Sequence, residues 1–335
     1  MDYLFPDYYR KFHCAGGGCP LTCCGGWQIS IDPASLDRYR KTKGPLGARL
    51  QNEIDWREGC FRQYGGKCAL LSEEGLCDLY SEGGGRKAFC TACRDFPRHL
   101  EEFKGVREVS LSLSCPIAAG LILSEKPVRF LKKSTKRRER FPFPFDRRLY
   151  QKLSGRRDRM IRRLQDRSLP VRARIEGLFP ALKVPQGITP PSPPEEEMFS
   201  ALERLTPVCA DWRPFLQKAK RVLKGLTCGE RESFRAFWPD YKTEQLLIYF
   251  LWVYYCNAVY DKEPGEKLAF SLGCTYMIRA LAMAEWAGGE ANLLAPSRFS
   301  REIEHSDQNL LRLQALLSDQ KKFGPEIFRA MLHTL

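Results

Sequence analysis

The chain has 335 residues, a formal net charge of +14, 43% hydrophobic and 28% charged residues, a balance that suits one large or two modest globular domains with sizeable cores. The start, MDYLFPDYYRKF, lacks the basic-then-apolar order of an export leader, and the longest apolar run, Leu246–Tyr260, falls short of the ~20 residues that span a bilayer. The expectation is a cytoplasmic protein without membrane insertion, in a reducing compartment where dense cysteine means metal more often than disulfides.

Ten of the 14 cysteines precede residue 116, four of them within FHCAGGGCPLTCCGGWQISID at 12–32. Short apolar pieces broken by glycine, KCALLSEEGLCDLY and VREVSLSLSC, predict small strands and turns folded around a site. Residues 1–120 therefore read as a cysteine-rich module. Residues 121–183 carry 20 Lys+Arg against 6 Asp+Glu, so this basic helical segment holds the whole net charge. Within it Leu149, Leu153, Met160, Ile161, Leu164, Ile175 and Leu178 recur at near-helical spacing, and Pro170 should separate two helices. KVPQGITPPSPPEEE at 183–197 reads as a Pro-rich loop that protease should cut first. A helical domain, 184–335, follows, with helices expected at 198–206, 211–226, 242–261, 265–287 and 307–320. The fold class is mainly α, with an N-terminal cysteine-rich metal-binding module containing small β elements.

The cysteine spacing carries chemistry. Cys14-x4-Cys19-x3-Cys23-Cys24 is followed by Cys68-x8-Cys77, Cys90-x2-Cys93 and Cys115 before Pro116. A CxxC turn lets two thiolates reach one metal, and more distant cysteines complete the shell. Zinc and an iron–sulfur cube each want four ligands, so nine candidates exceed one site. The cluster lacks the CxxxCxxC spacing of radical S-adenosylmethionine enzymes. Cys60 has no assigned role, and Cys209, Cys228, Cys256 and Cys274 read as small core residues. Arg94 and Arg98 follow Cys93 and suit hydrogen bonds to cluster sulfurs or an anion, with solvated arginines as the plain alternative. Tyr249, Phe250, Trp252, Tyr254, Tyr255 and Tyr260 surround one helix, which reads first as core and second as an aromatic pocket. His305, one of four histidines, either handles a proton or simply precedes a helix capped by Ser306.

Several ordered motifs together resemble one family. The strings Pro6-x-Tyr8-Tyr9-x2-Phe12-x-Cys14 and Cys19-Pro20-x2-Cys23-Cys24-x2-Trp27-x-Ile29-x-Ile31-Asp32 open the pattern. Cys68-x-Leu70-Leu71-x3-Gly75-Leu76-Cys77-x-Leu79-Tyr80, Cys90-x-Ala92-Cys93-Arg94-x2-Pro97-Arg98 and Leu111-Ser112-Leu113-Ser114-Cys115-Pro116 continue it. Over residues 1–120 the chain resembles the flagellin lysine-N-methylase family and, more loosely, small zinc- or iron-chelating cysteine-rich domains. The resemblance implies methyl transfer from S-adenosylmethionine to flagellin lysines, with Cys14, Cys19, Cys23, Cys24, Cys68, Cys77, Cys90, Cys93 and Cys115 holding an iron–sulfur cluster of the 4Fe-4S kind, or zinc.

No strand–GxGxxG–helix fingerprint is present; Gly16–Gly18 and Gly83–Gly85 sit in expected loops. The cofactor-binding residues stay unassigned, and the pocket is expected to be helical. A methylase must meet a lysine whose reference pKa is ~10.4, and a dry aromatic pocket, with Tyr249, Tyr254 and Tyr255 as its candidates, favours the neutral amine. His305 is the candidate catalytic residue, and Arg94 and Arg98 the candidates beside the metal. Because the cysteine spacing is not the radical motif, direct polar methyl transfer is expected. The competing reading is a metal-binding module that holds nucleic acid through the basic 121–183 segment; the scarcity of aromatics among those arginines speaks against it.

Overall fold

The computed structural model describes residues 1–136, 141, 143–182, 194–290, 292–319 and 323–333. Asp2–Pro6 (β1) is an inner strand of a four-stranded sheet with Arg98–Phe103 (β2), Val106–Leu111 (β3) and Phe130–Ser134 (β4), in the order β2-β3-β1-β4. β1 runs parallel to β3, with Tyr3 opposite Arg107, and antiparallel to β4, with Tyr3 opposite Lys133. β2 and β3 form a hairpin whose turn needs Gly105 at φ +82°, a left-handed conformation that costs glycine little. The β3 stretch was legible as a strand. β1 and β4 were not, because their pairing partners lie about a hundred residues away and neither alternates clearly.

The cysteine-rich segment builds its own small core from Ile29, Ile31, Tyr39, Leu50, Ile54, Phe61, Leu70 and Leu79, with Cys68 and Cys90 buried among them. Asp32 ties this unit together. One carboxylate oxygen accepts the Ser35 N–H at 3.0 Å and caps Pro33–Arg40 (α1); the other accepts the Thr91 N–H at 2.8 Å at the start of Thr91–Asp95 (α2). Those bonds, Thr91's first, hold the Asp32 carboxyl well below the usual carboxylate range. Leu111, Leu113, Cys115 and the helix Pro116–Ile122 (α3) bury instead in the larger core of the helical body.

Arg147–Leu164 (α4) and Val171–Glu176 (α5) flank Pro170 as the spacing predicts. Their arginines are not all on solvated faces. Arg157 is 1% exposed, pairs with Glu108 through Nη2 at 2.7 Å, and lies 4.1 Å over the Trp252 ring. Arg174 and Arg167 both bond Glu244, at 2.7 and 2.9 Å. Part of the basic charge is thus consumed inside the fold, which weakens the nucleic-acid reading.

Pro194–Glu203 (α6) begins earlier than the expected 198, so residues 194–197 belong to a helix and not to the Pro-rich loop; three glutamates in its first turn suit the helix dipole. The remainder of that loop, 183–193, lies outside the described residues. Trp212–Gly225 (α7), Cys228–Phe237 (α8) and Asp240–Tyr254 (α9) follow. The stretch expected as one helix at 242–261 breaks after Tyr254 into a tight turn, Tyr255–Asn257, and a short helix, Ala258–Asp261. Pro264–Ala287 (α10) is buried nearly all round, the signature of a central core helix; it packs against α7, α9, Ala295–Glu304 (α11) and Asp307–Leu317 (α12). Pro325–His333 (α13) closes the chain. α8, α11 and α13 were not expected from the sequence. Cys256 and Cys274 are buried as expected, whereas Cys228 is exposed and Cys209 half-buried. Among the described residues no helix is long and apolar enough to cross a membrane.

Candidate functional site

α11 ends at Glu304, His305 leaves the helix, and the Ser306 hydroxyl accepts the Asn309 N–H at 3.2 Å to start α12. This joint sets Glu304 and His305 side by side at the seam between the helical body and the cysteine-rich segment. The Tyr249 hydroxyl donates to Glu304 Oε1 at 2.8 Å and the Tyr254 hydroxyl to the same atom at 2.8 Å. Ser300 donates to Glu304 Oε2, and Ser112 Oγ stands 3.5 Å from that oxygen. Tyr249 and Tyr254 lie five residues apart on α9, about 140° around its axis at ~100° per residue, and both hydroxyls nonetheless reach the one carboxylate. Burial, then the Glu304 charge, pushes both phenols well above their ordinary pKa.

His305 stacks on Trp27 with ring centroids 4.2 Å apart and bonds Ser114 Oγ through Nε2 at 3.0 Å. The residue keeps an exposed edge, yet loss of water around its ring, then the nearby Arg301 charge, lowers its pKa to about 4. The imidazole is therefore neutral at pH 7. Arg301, 3% exposed, anchors the seam: it donates to the carbonyls of Leu21 at 2.8 Å, Thr22 at 3.0 Å and Ser114 at 3.2 Å, and lies 4.7 Å over Trp27. The Leu111–Pro116 motif is the counterpart on the other side. Ser297 donates to the Leu113 carbonyl at 2.8 Å.

Of the residues singled out from sequence, the structure brings Tyr249, Tyr254 and His305 together. Tyr255, whose phenol lies near Arg156, makes no hydrogen bond to Glu304. Arg94 bonds Asp95 and Thr91, each at 3.3 Å, and Arg98 lies over the Tyr9 and Phe12 rings; no bond from either to a sulfur is found among the described residues. Glu304, Trp27, Ser112 and Ser114 carry the site without having been assigned to it. Trp27, Ser112 and Ser114 lie inside the quoted motifs, and Glu304 is the neighbour of His305. A carboxylate directly before a rare histidine was the available signal.

The cysteines fall into two neighbourhoods. Cys24, Cys68, Cys77, Cys90 and Cys93 share one electrostatic environment around the small core. Cys90 and Cys93 act as a pair: the hydrogen bond from Cys93 pulls the Cys90 thiol down, to about 7, and pushes the Cys93 thiol up. Burial raises Cys68 to about 11. Cys14, Cys19 and Cys115 see one another on the side facing Arg301, and Cys23 also acts on that arginine. All are free thiols. As donors they suit zinc or iron, but among the described residues no three His, Cys, Asp or Glu side chains are set to hold one ion.

Residues 196–326 match the family described as FliB lysine N-methylase C-terminal domain, a segment that contains Tyr249, Tyr254, Arg301, Glu304 and His305. The chain is 29% identical over 139 residues to the lysine-N-methylase of Salmonella typhimurium, which covers 39% of this chain and 34% of that protein. The lysine-N-methylase of Salmonella choleraesuis matches to the same extent. The flagellar biosynthetic protein FliU of Salmonella muenchen is 30% identical over 129 residues, 36% of this chain and 76% of that protein. The aligned segment thus spans only about a third of the two methylases, 34% of each. No solved structure matches the chain.

Proposed function

The chain belongs to the family of the FliB lysine N-methylases and the flagellar protein FliU, and from that premise we propose that it methylates lysine side chains of flagellin, with S-adenosylmethionine as methyl donor. One observation carries the reading: the segment matching the lysine N-methylase domain, 196–326, is the segment that supplies Glu304, His305, Tyr249 and Tyr254. When bound, the donor supplies an electrophilic methyl group; the residues of this chain handle the lysine. The Glu304 carboxylate, held by two phenols and a serine, offers a fixed negative charge that draws an ammonium to the seam. Neutral His305 offers a lone pair to orient the amine, while Trp27 and Phe96, whose centroids lie 4.2 and 6.1 Å from the imidazole, cover the lysine methylenes. A pKa near 4 makes His305 a weak base, so its role is to position. The amine, with a reference pKa of ~10.4, loses its proton toward Glu304 and solvent. For the nine cysteines we keep metal binding, iron–sulfur or zinc, as a proposal resting on their two thiol neighbourhoods; no step above runs through it.

The test is a mass spectrum of flagellin after incubation with the full chain and methyl-labelled S-adenosylmethionine. Labelled lysine residues and S-adenosylhomocysteine as the sole cofactor product are expected, with a rate that rises with pH. Unlabelled flagellin would sink the substrate, and 5′-deoxyadenosine among the products would sink direct displacement.

A further inference from the structure

Ser112 and Ser114 sit two residues apart in the loop that follows β3. That loop is pinned at Leu113, whose N–H donates to the Tyr249 hydroxyl at 3.4 Å and whose carbonyl accepts from Ser297 at 2.8 Å. Ser112 Oγ accepts the Ser114 N–H at 3.2 Å, a local serine turn that sets the two hydroxyl oxygens 2.7 Å apart. Ser114 is fully buried, and its Oγ lies 3.0 Å from His305 Nε2. An unbroken line of polar atoms therefore runs from Glu304 Oε2 through Ser112 and Ser114 to the imidazole, in steps of 3.5, 2.7 and 3.0 Å.

One direction of donation satisfies every atom in that line. A carboxylate accepts and does not donate, so the Ser112 hydroxyl gives its hydrogen to Glu304, a charge-assisted bond. Ser112 Oγ then accepts twice, from the Ser114 N–H and the Ser114 hydroxyl. Ser114, its hydrogen given to Ser112, accepts from His305, so Nε2 carries the imidazole hydrogen. The reverse order, Ser112 to Ser114 to Nε2, keeps the two short bonds but turns a hydroxyl lone pair toward the carboxylate and forfeits the third bond. The neutral ring holds one N–H. Nδ1 is therefore left with a lone pair and, among the described residues, no hydrogen-bond partner. The Trp27 stack holds the plane of the ring.

We propose that Ser112 and Ser114 are positioning residues that link the Glu304 charge to His305, fix the imidazole with its hydrogen on Nε2, and leave Nδ1 as the acceptor for an N–H of an incoming amine. The identity of that amine rests on the function proposed above: it is the neutral lysine side chain. One lysine N–H is given to Nδ1, which leaves the nitrogen lone pair free to face the methyl group. Glu304 thus acts twice, drawing the ammonium to the seam and selecting the imidazole nitrogen that meets it.

Nitrogen NMR of the full chain, labelled at histidine, tests the relay without turnover, and His305→Gln assigns the His305 signals among the four histidines. At neutral pH the wild type should show hydrogen on Nε2 and a bare Nδ1. Ser112→Ala cuts the line and leaves the Trp27 stack in place, so the form with hydrogen on Nδ1 should appear beside the first. Ser112→Thr, which restores a hydroxyl at a half-buried position, should return the wild-type spectrum. With flagellin and S-adenosylmethionine, Ser112→Ala should lower kcat about tenfold, the scale of one hydrogen bond, with KM for flagellin kept and Ser112→Thr near wild type. Hydrogen on Nδ1 in the wild type, or a Ser112→Ala spectrum identical to wild type, would overturn the relay whatever the activity. The expected spectra from a wild-type chain that methylates no flagellin lysine would uphold the relay and overturn the methylase reading instead.

Discussion

Trp27 and His305 lie face to face, their ring centroids 4.2 Å apart and their planes 13° from parallel. They are the only direct ring stack joining the cysteine-rich segment to the α11–α12 joint among the described residues. Removing the ring in Trp27→Ala restores water to the imidazole, so the His305 pKa should climb from about 4 toward its ordinary range. Histidine NMR titration reads this directly; an unchanged value would assign the shift to Arg301. The sign for stability follows. Folded His305 binds a proton less readily than unfolded, so its contribution is present above the unfolded pKa of ~6.5 and is lost as pH falls toward the folded value. Denaturant midpoints should drop between neutral pH and pH 4 more in wild type than in His305→Gln.

Glu304 is the acceptor shared by two buried phenols. Glu304→Gln keeps the shape and removes the charge, so Tyr249 and Tyr254 should titrate at lower pH, visible as phenolate absorbance. If the carboxylate receives the lysine, kcat/KM should fall about 10²-fold or more. A change within twofold would exclude Glu304 from handling the substrate.

The thiol neighbourhoods predict metal analysis. Protein purified without oxygen should carry iron and be brown; Cys90→Ser or Cys93→Ser should lose metal and melt early, because ligation in small modules is folding energy. Cys228→Ser, at an exposed helix start, should behave as wild type. Colourless protein with stoichiometric zinc would exclude iron, and metal-free protein that melts normally would exclude the site.

Glu108 and Arg157, 2% and 1% exposed, join β3 to α4. Glu108→Gln leaves the guanidinium with an uncompensated charge, a loss of about 3–5 kcal/mol, read as a lower urea midpoint. Any fall in activity should track the unfolded fraction. A loss below about 1 kcal/mol would mean that water reaches Arg157.

Periodicity marked most of the helical body. α4, α5, α7, α9, α10 and α12 are long or strongly patterned, and α9 and α10 announce their burial by being apolar on every side. Cysteine spacing likewise marked the segment that folds around its own small core. The site itself was half legible. Tyr249 and Tyr254 stand out as aromatics on one helix, and His305 as a rare residue, but their meeting point did not, because Glu304 looks like any helix-end glutamate until the two α9 phenols reach it. Nothing local distinguishes Arg157 from its solvated neighbours on α4, since its partner Glu108 lies 49 residues back on a strand. Tertiary structure decided these because hydrogen bonding and desolvation depend on which surfaces meet, while hydrophobic period reports only which face of each element is buried.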